Sequence, residues 1–462
     1  MSTTTARHAD RWVVLATVSA GLLLVTLDNS ILYTALPTLT EELGASATES
    51  LWIINAYPLV MAGLLLGAGT LGDRVGHRRI FLVGIVVFGA ASLLAAFAPS
   101  PAWLIGGRAL LAIGAAAMMP ATLALIRVSF EDQRERNLAI AVWGSLAVVG
   151  AALGPIVGGL LLEWFWWGSV FLVNVPVVLV TWVVATRVVP RERPDTTVAW
   201  DWVSSVLALV ALTGLVMVIK DSVRADRSVA VLLVAGALAA AAATLFVRRQ
   251  LRRPEPLLDL ALFRSPVLSV GVLAAGSTMF VLSGLQLVTV QRFQSAEGFS
   301  PLQAGLLVSC VALGTLPTSM VAGSVLHRTG PRALVSGGLV IAGAGAVLSA
   351  VSTGAGWPWT VGAFLLTGAG LGFVFGVASS MVLSSAPRER AGMASSVEEV
   401  SYELGSLTAV ALLGSLFTAV STAVDVDRGF VVVMLVIAAA TLLTATASAL
   451  GLRGTHHISA DH

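Results

Sequence analysis

Fourteen stretches of nearly unbroken apolar residues, separated by short polar joints, run the length of the chain: 12–36, 49–71, 80–98, 102–126, 138–162, 168–189, 201–219, 229–247, 267–290, 301–326, 332–352, 357–385, 392–420 and 429–452. A hydrocarbon core about 30 Å thick is crossed by about 20 helical residues at 1.5 Å rise each. Each run therefore predicts one membrane-spanning α-helix, and the chain reads as an all-α integral membrane protein. The first run follows Arg7 and Arg11 as a signal peptide would, but it continues past the usual apolar length and reaches ALP at 35–37 without a small-x-small cleavage pattern. It is read as a retained helix.

Composition agrees: hydrophobic residues are 57% of 462 and charged residues 11%, against about 25% charged in soluble domains. The net charge of +2 says little until its distribution is drawn. An even number of spans puts both termini on one side. If that side is the cytoplasm, 21 of the 27 basic residues lie in inner segments, as the positive-inside bias requires. The outer loops hold Lys220, Arg224, Arg227, Arg292 and Arg428, and Arg108 falls inside the fourth run. Arginine outnumbers lysine 26 to 1, a bias of GC-rich bacterial genomes, so a bacterial plasma membrane with cytoplasmic termini is expected. Cys310 is the lone cysteine, which rules out an internal disulfide.

A weak repeat organises the runs. GTLGDRVGHRR (69–79) and GSVLHRTGPR (323–332) share glycine, three residues, a polar residue, arginine, one residue, glycine and a further basic residue. Recurrence of this kind predicts two six-helix halves around a central site. The expected divisions are 1–190 for the first bundle, 191–255 for a two-helix insert with its linkers, and 256–462 for the second bundle. The Arg- and Pro-rich stretches 187–197 and 248–266 flank the insert, and the second has room for a short helix along the membrane surface.

Charges inside the apolar runs then stand out. An intramembrane carboxylate or guanidinium costs at least about 2.5–3.5 kcal/mol and is by default a functional candidate. Asp28 in LDNSILYTALP and Arg108 in the fourth run can offset each other if they face one cavity. Two readings stay open: a structural buried pair, or a pair that loosens when Asp28 takes a proton. The thirteenth run carries SSVEEVSYELG (395–405), in which Glu399 and Glu403 share a face with Tyr402 beside them and Glu398 points away. That face suits a lipophilic cation or a proton, with a solvated helix start as the plain alternative. Asp73 with Arg74, Arg78 and Arg79 is either a latch across helix ends or a set of positive-inside anchors, and Gly69 and Gly76 imply close backbone approach. Enzyme and receptor readings find no support. GAGLG (368–372) has Phe373 where a dinucleotide loop needs glycine, no Walker loop occurs, and no histidine set has metal spacing.

Taken together, these residues resemble the major facilitator superfamily, in its fourteen-helix drug:proton antiporter branch. GTLGDRVGHRR is similar to the superfamily's loop motif through Gly69, Asp73, Arg74, Gly76, Arg78 and Arg79. RALLAIGAAAMMP (108–120) is similar to its motif with a buried arginine, and GAALGPIVGG (150–159) to its antiporter motif at Gly150, Gly154, Pro155, Gly158 and Gly159. LDNSILYTALP and WGSVFLVNVP (167–176) resemble the first and sixth helices of the branch. The resemblance implies a major facilitator fold of 14 helices and a proton-coupled multidrug efflux pump exporting lipophilic, often cationic compounds by alternating access. A dedicated exporter of one metabolite or lipid precursor is the alternative. It implies proton coupling at Asp28, Arg108, Glu399 and Glu403, and substrate contact at Glu399, Tyr402, Glu403, Asn55 and Tyr57. Asn55 stands where many relatives have aspartate, which favours monovalent cations or neutral amphiphiles. The expected partners are small drugs, protons and the lipid bilayer, with no nucleic acid, no cofactor or metal beyond the proton gradient, and a monomeric state.

Overall fold

The structure is a computed structural model and describes residues 2–130, 132–190, 200–222, 228–254, 256–385 and 391–453. Both expected insert boundaries, and the counted Arg191, Arg193, Arg224, Arg227, Arg388 and Arg390, fall at or lie outside these residues. Helices account for the regular structure, and no strand occurs among the described residues. Fourteen are long and apolar enough to cross a membrane. The first seven are α1 (Ser2–Leu43), α2 (Ala47–Val75), α3 (His77–Ala96), α4 (Pro101–Ser129), α5 (Gln133–Trp164), α6 (Ser169–Val188) and α7 (Trp202–Ser222). The rest are α8 (Val229–Arg252), α9 (Pro266–Ser295), α10 (Pro301–Leu326), α11 (Arg328–Val351), α12 (Trp357–Ser384), α13 (Met393–Ala423) and α14 (Val426–Gly451).

Most helices outrun their apolar windows because polar end residues cap them. The first backbone N–H groups of a helix have no partner within it, and a side-chain cap supplies one. Ser46 and Glu49 form a reciprocal capping box at α2, and Ser300 and Gln303 form another at α10. Ser100, Ser265 and Asp425 cap α4, α9 and α14, and Pro101, Pro266 and Pro301 occupy first-turn positions where no N–H is needed. The 248–266 stretch holds one 3-10 turn, Leu260–Arg264. The two repeated loops share a backbone feature: Gly76 has φ 98° and Gly330 has φ 75°, a conformation that side chains resist.

Packing divides the chain into two compact units, Met1–Leu209 and Val210–His462. The cut falls within α7 because its first turns dock on α2. Gly63 and Gly67 leave a notch on α2 that Leu209 and Ser205 fill, and Trp200 Nε1 donates to Gly67 O at 3.1 Å. Small residues four apart let helices approach closely. In the first unit, the backbones of α3 and α4 also meet at Gly84 and Gly114. In the second, the glycines of α12 do the same: Gly368 lies on the Val311 carbonyl of α10, and Gly370 on Gly338 and Ala342 of α11. The sequence GAGLG is thus a packing face. Two helices depart from regular hydrogen bonding: α6 at Val173, where Pro176 has no N–H to offer Leu172 O although the backbone stays helical (φ −58°, ψ −26°), and α13 in a π-helical turn at Val410–Gly414.

Gly368→Ala should therefore lower the melting temperature of the solubilised protein by an amount equivalent to about 1–3 kcal/mol, the usual cost of overpacking. Gly362→Ala, on the same helix with nothing within 4 Å of the added carbon, should not lower it and should raise it slightly, because alanine is the better helix former.

Candidate functional site

Alternate positions on α1 serve different neighbours. Thr26, Ser30 and Ile31 lie against Gly150, Gly154 and Gly158 of α5, while Asp28, about 200° around the helix from Thr26, turns to α4. There Arg108 Nη1 meets Asp28 Oδ2 at 2.5 Å, with both side chains fully buried. Asn174, which follows Val173 in α6, donates Nδ2 to Asp28 Oδ1 at 2.8 Å. The same nitrogen lies 3.2 Å from Ser92 Oγ on α3. Arg108 also lies over the Tyr57 ring of α2, 4.6 Å from its centroid, which adds cation–π attraction of about 2 kcal/mol when dry. Helices α1, α2, α3, α4 and α6 thus converge on one acid and one guanidinium. Buried opposite charges offset each other's desolvation only with good geometry and further hydrogen bonds, and both are present here. Protonation of Asp28 would remove the charge that Arg108 and Asn174 engage. Asn55 is also fully buried, and neither end of its amide has a hydrogen-bond partner among the described residues.

Asn174 and Ser92 escaped the sequence reading. The available signal was an amide inside the apolar WGSVFLVNVP, just before the helix-breaking context of Pro176.

At the 2–3 joint, the partner of Asp73 differs from the expected arginine. His77 Nε2 lies 3.0 Å from Asp73 Oδ1, one turn along the chain. Arg78 donates Nη2 to Thr186 O at 2.7 Å, near the carbonyl end of α6, where a cation is favoured by the helix dipole. Arg74 and Arg79 are exposed. Gly76 supplies the turn, but Gly69 makes only ordinary contact with Pro120, and the close approach belongs to Gly72, against the His77 ring. The glycine face of α5 behaves differently: side chains at Gly150 or Gly154 would overlap Thr26 or Ser30. Ser30 Oγ donates across that face to Ala151 O at 2.8 Å. Pro155 and Gly159 are buried within the same stretch. Near the start of both helices, Arg11 Nη1 and Glu135 Oε2 form an ion pair at 2.5 Å.

In the second unit the acids of α13 are arranged otherwise than their spacing suggested. Tyr402 OH donates to Glu398 Oε1 at 2.7 Å, rather than siding with Glu399 and Glu403. Helical side chains lean towards the N-terminus, so residue 402 covers residue 398. Ser379 Oγ of α12 donates to the same oxygen, and the Tyr402 ring stacks on Phe375 of α12 at 5.6 Å and 16°. Glu398 and Glu403 are buried and Glu399 is half-buried. Close approach of α13 to α9 is set by Gly405 against Gly276 O, with Ser401 Oγ donating to Val272 O at 2.5 Å.

Comparison with known proteins adds the following. The family model described as Major Facilitator Superfamily matches residues 18–294 and 267–459. The chain is 39% identical over 431 residues to the "Multidrug efflux pump LfrA" of Mycolicibacterium smegmatis, covering 92% of this chain and 85% of that protein. It is 37% identical over 414 residues to the "Methyl viologen resistance protein SmvA" of Salmonella typhimurium, covering 88% and 83%. In fold it is similar to a crystal structure of the peptide transporter POT in complex with sulfate, with a TM-score of 0.70 at 16% identity over 96% of this chain and 94% of the other.

Because each charge is buried against the other, Arg108→Leu should destabilise the first unit by about 3 kcal/mol, read as a lower melting temperature. Adding Asp28→Asn should recover part of that loss; a double variant less stable than Arg108→Leu would contradict the pairing.

Proposed function

The chain belongs to the major facilitator superfamily, and from that premise we propose that it is a proton-coupled antiporter exporting lipophilic, often cationic compounds from bacterial cytoplasm. It is a membrane transporter, not an enzyme. The supporting observation is Asp28, a carboxylate held in a dry interior by Arg108 and Asn174. A purely structural role would be served as well by apolar residues of the same volume, since replacing a buried ion pair in that way is often neutral or stabilising. The names of the similar pumps, which cite drug efflux and resistance, support the cargo class.

The two halves alternate access. Cargo from the cytoplasm contacts Glu399, Tyr402 and Glu403 of α13 in the second unit, contacts are assigned separately to Asn55 and Tyr57 of α2 in the first, and protons taken up outside at Asp28, Glu399 and Glu403 drive the return. One charge moving through 100 mV supplies about 2.3 kcal/mol. Asp73, Arg74, Arg78 and Arg79, with Gly69 and Gly76, hold one conformation at the cytoplasmic face, and Gly150, Gly154, Pro155, Gly158 and Gly159 are the surface over which α1 pivots on α5. The pump works as a monomer with both termini in the cytoplasm, and its energy source is the proton gradient.

Asp28→Asn should insert normally and lose uphill dye efflux from everted vesicles; full efflux in that variant sinks the assignment. Glu403→Gln should alter which compounds are exported, measured as a changed resistance profile. Cells lacking the pump should become sensitive to several unrelated lipophilic cations. Sensitivity to none of them would favour the single-metabolite exporter.

A further inference from the structure

Asp28 has two oxygens, and the pair with Arg108 uses one. The other, Oδ1, accepts from Asn174 Nδ2 at 2.8 Å, and that nitrogen is also within 3.2 Å of Ser92 Oγ. Asn174 and Ser92 are fully buried, so no water competes for these bonds. An amide here adds no charge of its own. It donates to the carboxylate, and by holding Oδ1 it leaves Oδ2 directed at the guanidinium.

Resting on the reading of Asp28 as a proton-carrying acid, we propose that Asn174 is the positioning residue that sets how readily Asp28 takes up its proton, with Ser92 holding the amide in place. The surroundings isolate this effect. From α4 comes Arg108; from α2, Tyr57, whose ring backs the guanidinium; from α3 and α6, the uncharged Ser92 and Asn174; and α5 presents glycines and the Ala151 carbonyl taken by Ser30. Among the described residues Arg108 is thus the charged group against Asp28, and it stays constant when residue 174 is changed. When a proton arrives, one O–H bond forms on the carboxyl, its negative charge is lost, and the bond from Asn174 weakens without any other covalent change.

The test is pH-titrated infrared difference spectroscopy of the purified full-length protein in lipid, following the carboxylic C=O stretch that Asp28→Asn removes. Asn174→Leu keeps the branched shape and removes the donor. Its Asp28 band should appear at a pH about one unit higher, a tenfold easier protonation and the scale of one lost hydrogen bond to a charged group. Ser92→Ala should move it the same way by less, and it decides the matter if Asn174→Leu fails to fold. Midpoints in these variants equal to that of the parent protein overturn the positioning role alone. A parent protein with no titrating band assignable to Asp28 overturns the proton-carrier reading itself, and this proposal with it.

Discussion

One carboxylate and one guanidinium removed from water in the same few ångströms impose the central constraint on the first unit. Either charge alone at that depth is costly, so the pairing favours keeping the helices that carry Asp28 and Arg108 together, and several polar groups nearby engage one of the two. Asn174 and Ser92 serve the acid, and the Tyr57 ring serves the cation. Helix α1 then joins charge to packing. Its Asp28 side answers to the ion pair, and its Thr26–Ser30 side lies close against the glycines of α5 and donates from Ser30 Oγ to Ala151 O.

The acids of the second unit follow a different logic. The recorded donors to Glu398 are hydroxyls, from Ser379 and Tyr402, and an aromatic pair stands beside them. Hydroxyls can serve a charged or a neutral carboxyl by rotating their protons, whereas a guanidinium always favours the charged form. The two acids therefore sit in chemically different settings, one against a fixed cation and the other among rotatable hydroxyls. The π-helical turn Val410–Gly414 lies two turns beyond Glu403 on the same helix, and such turns are frequent at functional sites.

Much of the fold was legible because lipid forces long, contiguous apolar runs, and the 301–326 run coincides with α10 from end to end. Helix ends were less legible: capping by Ser46 or Asp425 extends helices through polar residues that hydropathy discounts. The Asp28–Arg108 pair could be anticipated, since the apolar depth held one candidate cation for that acid. Asn174 could not, because an amide is tolerated in many places and its partners depend on how α6 packs against α1 and α3. Two details were left open by spacing alone: the turn at Gly76 brings His77 rather than an arginine to Asp73, and side-chain lean brings Tyr402 to Glu398. The docking of α7 on α2 was written as Gly63 and Gly67, but which helix would fill that notch depends on chain path.

The central claim is that cargo and protons are exchanged, and it is tested most directly by running the exchange backwards. Protein reconstituted in liposomes, given a gradient of a lipophilic cation such as tetraphenylphosphonium and no initial pH difference, should drive protons against the cation flow, and Asp28→Asn should abolish that proton movement. Cation flux with no proton movement, or proton movement undiminished in Asp28→Asn, would contradict it.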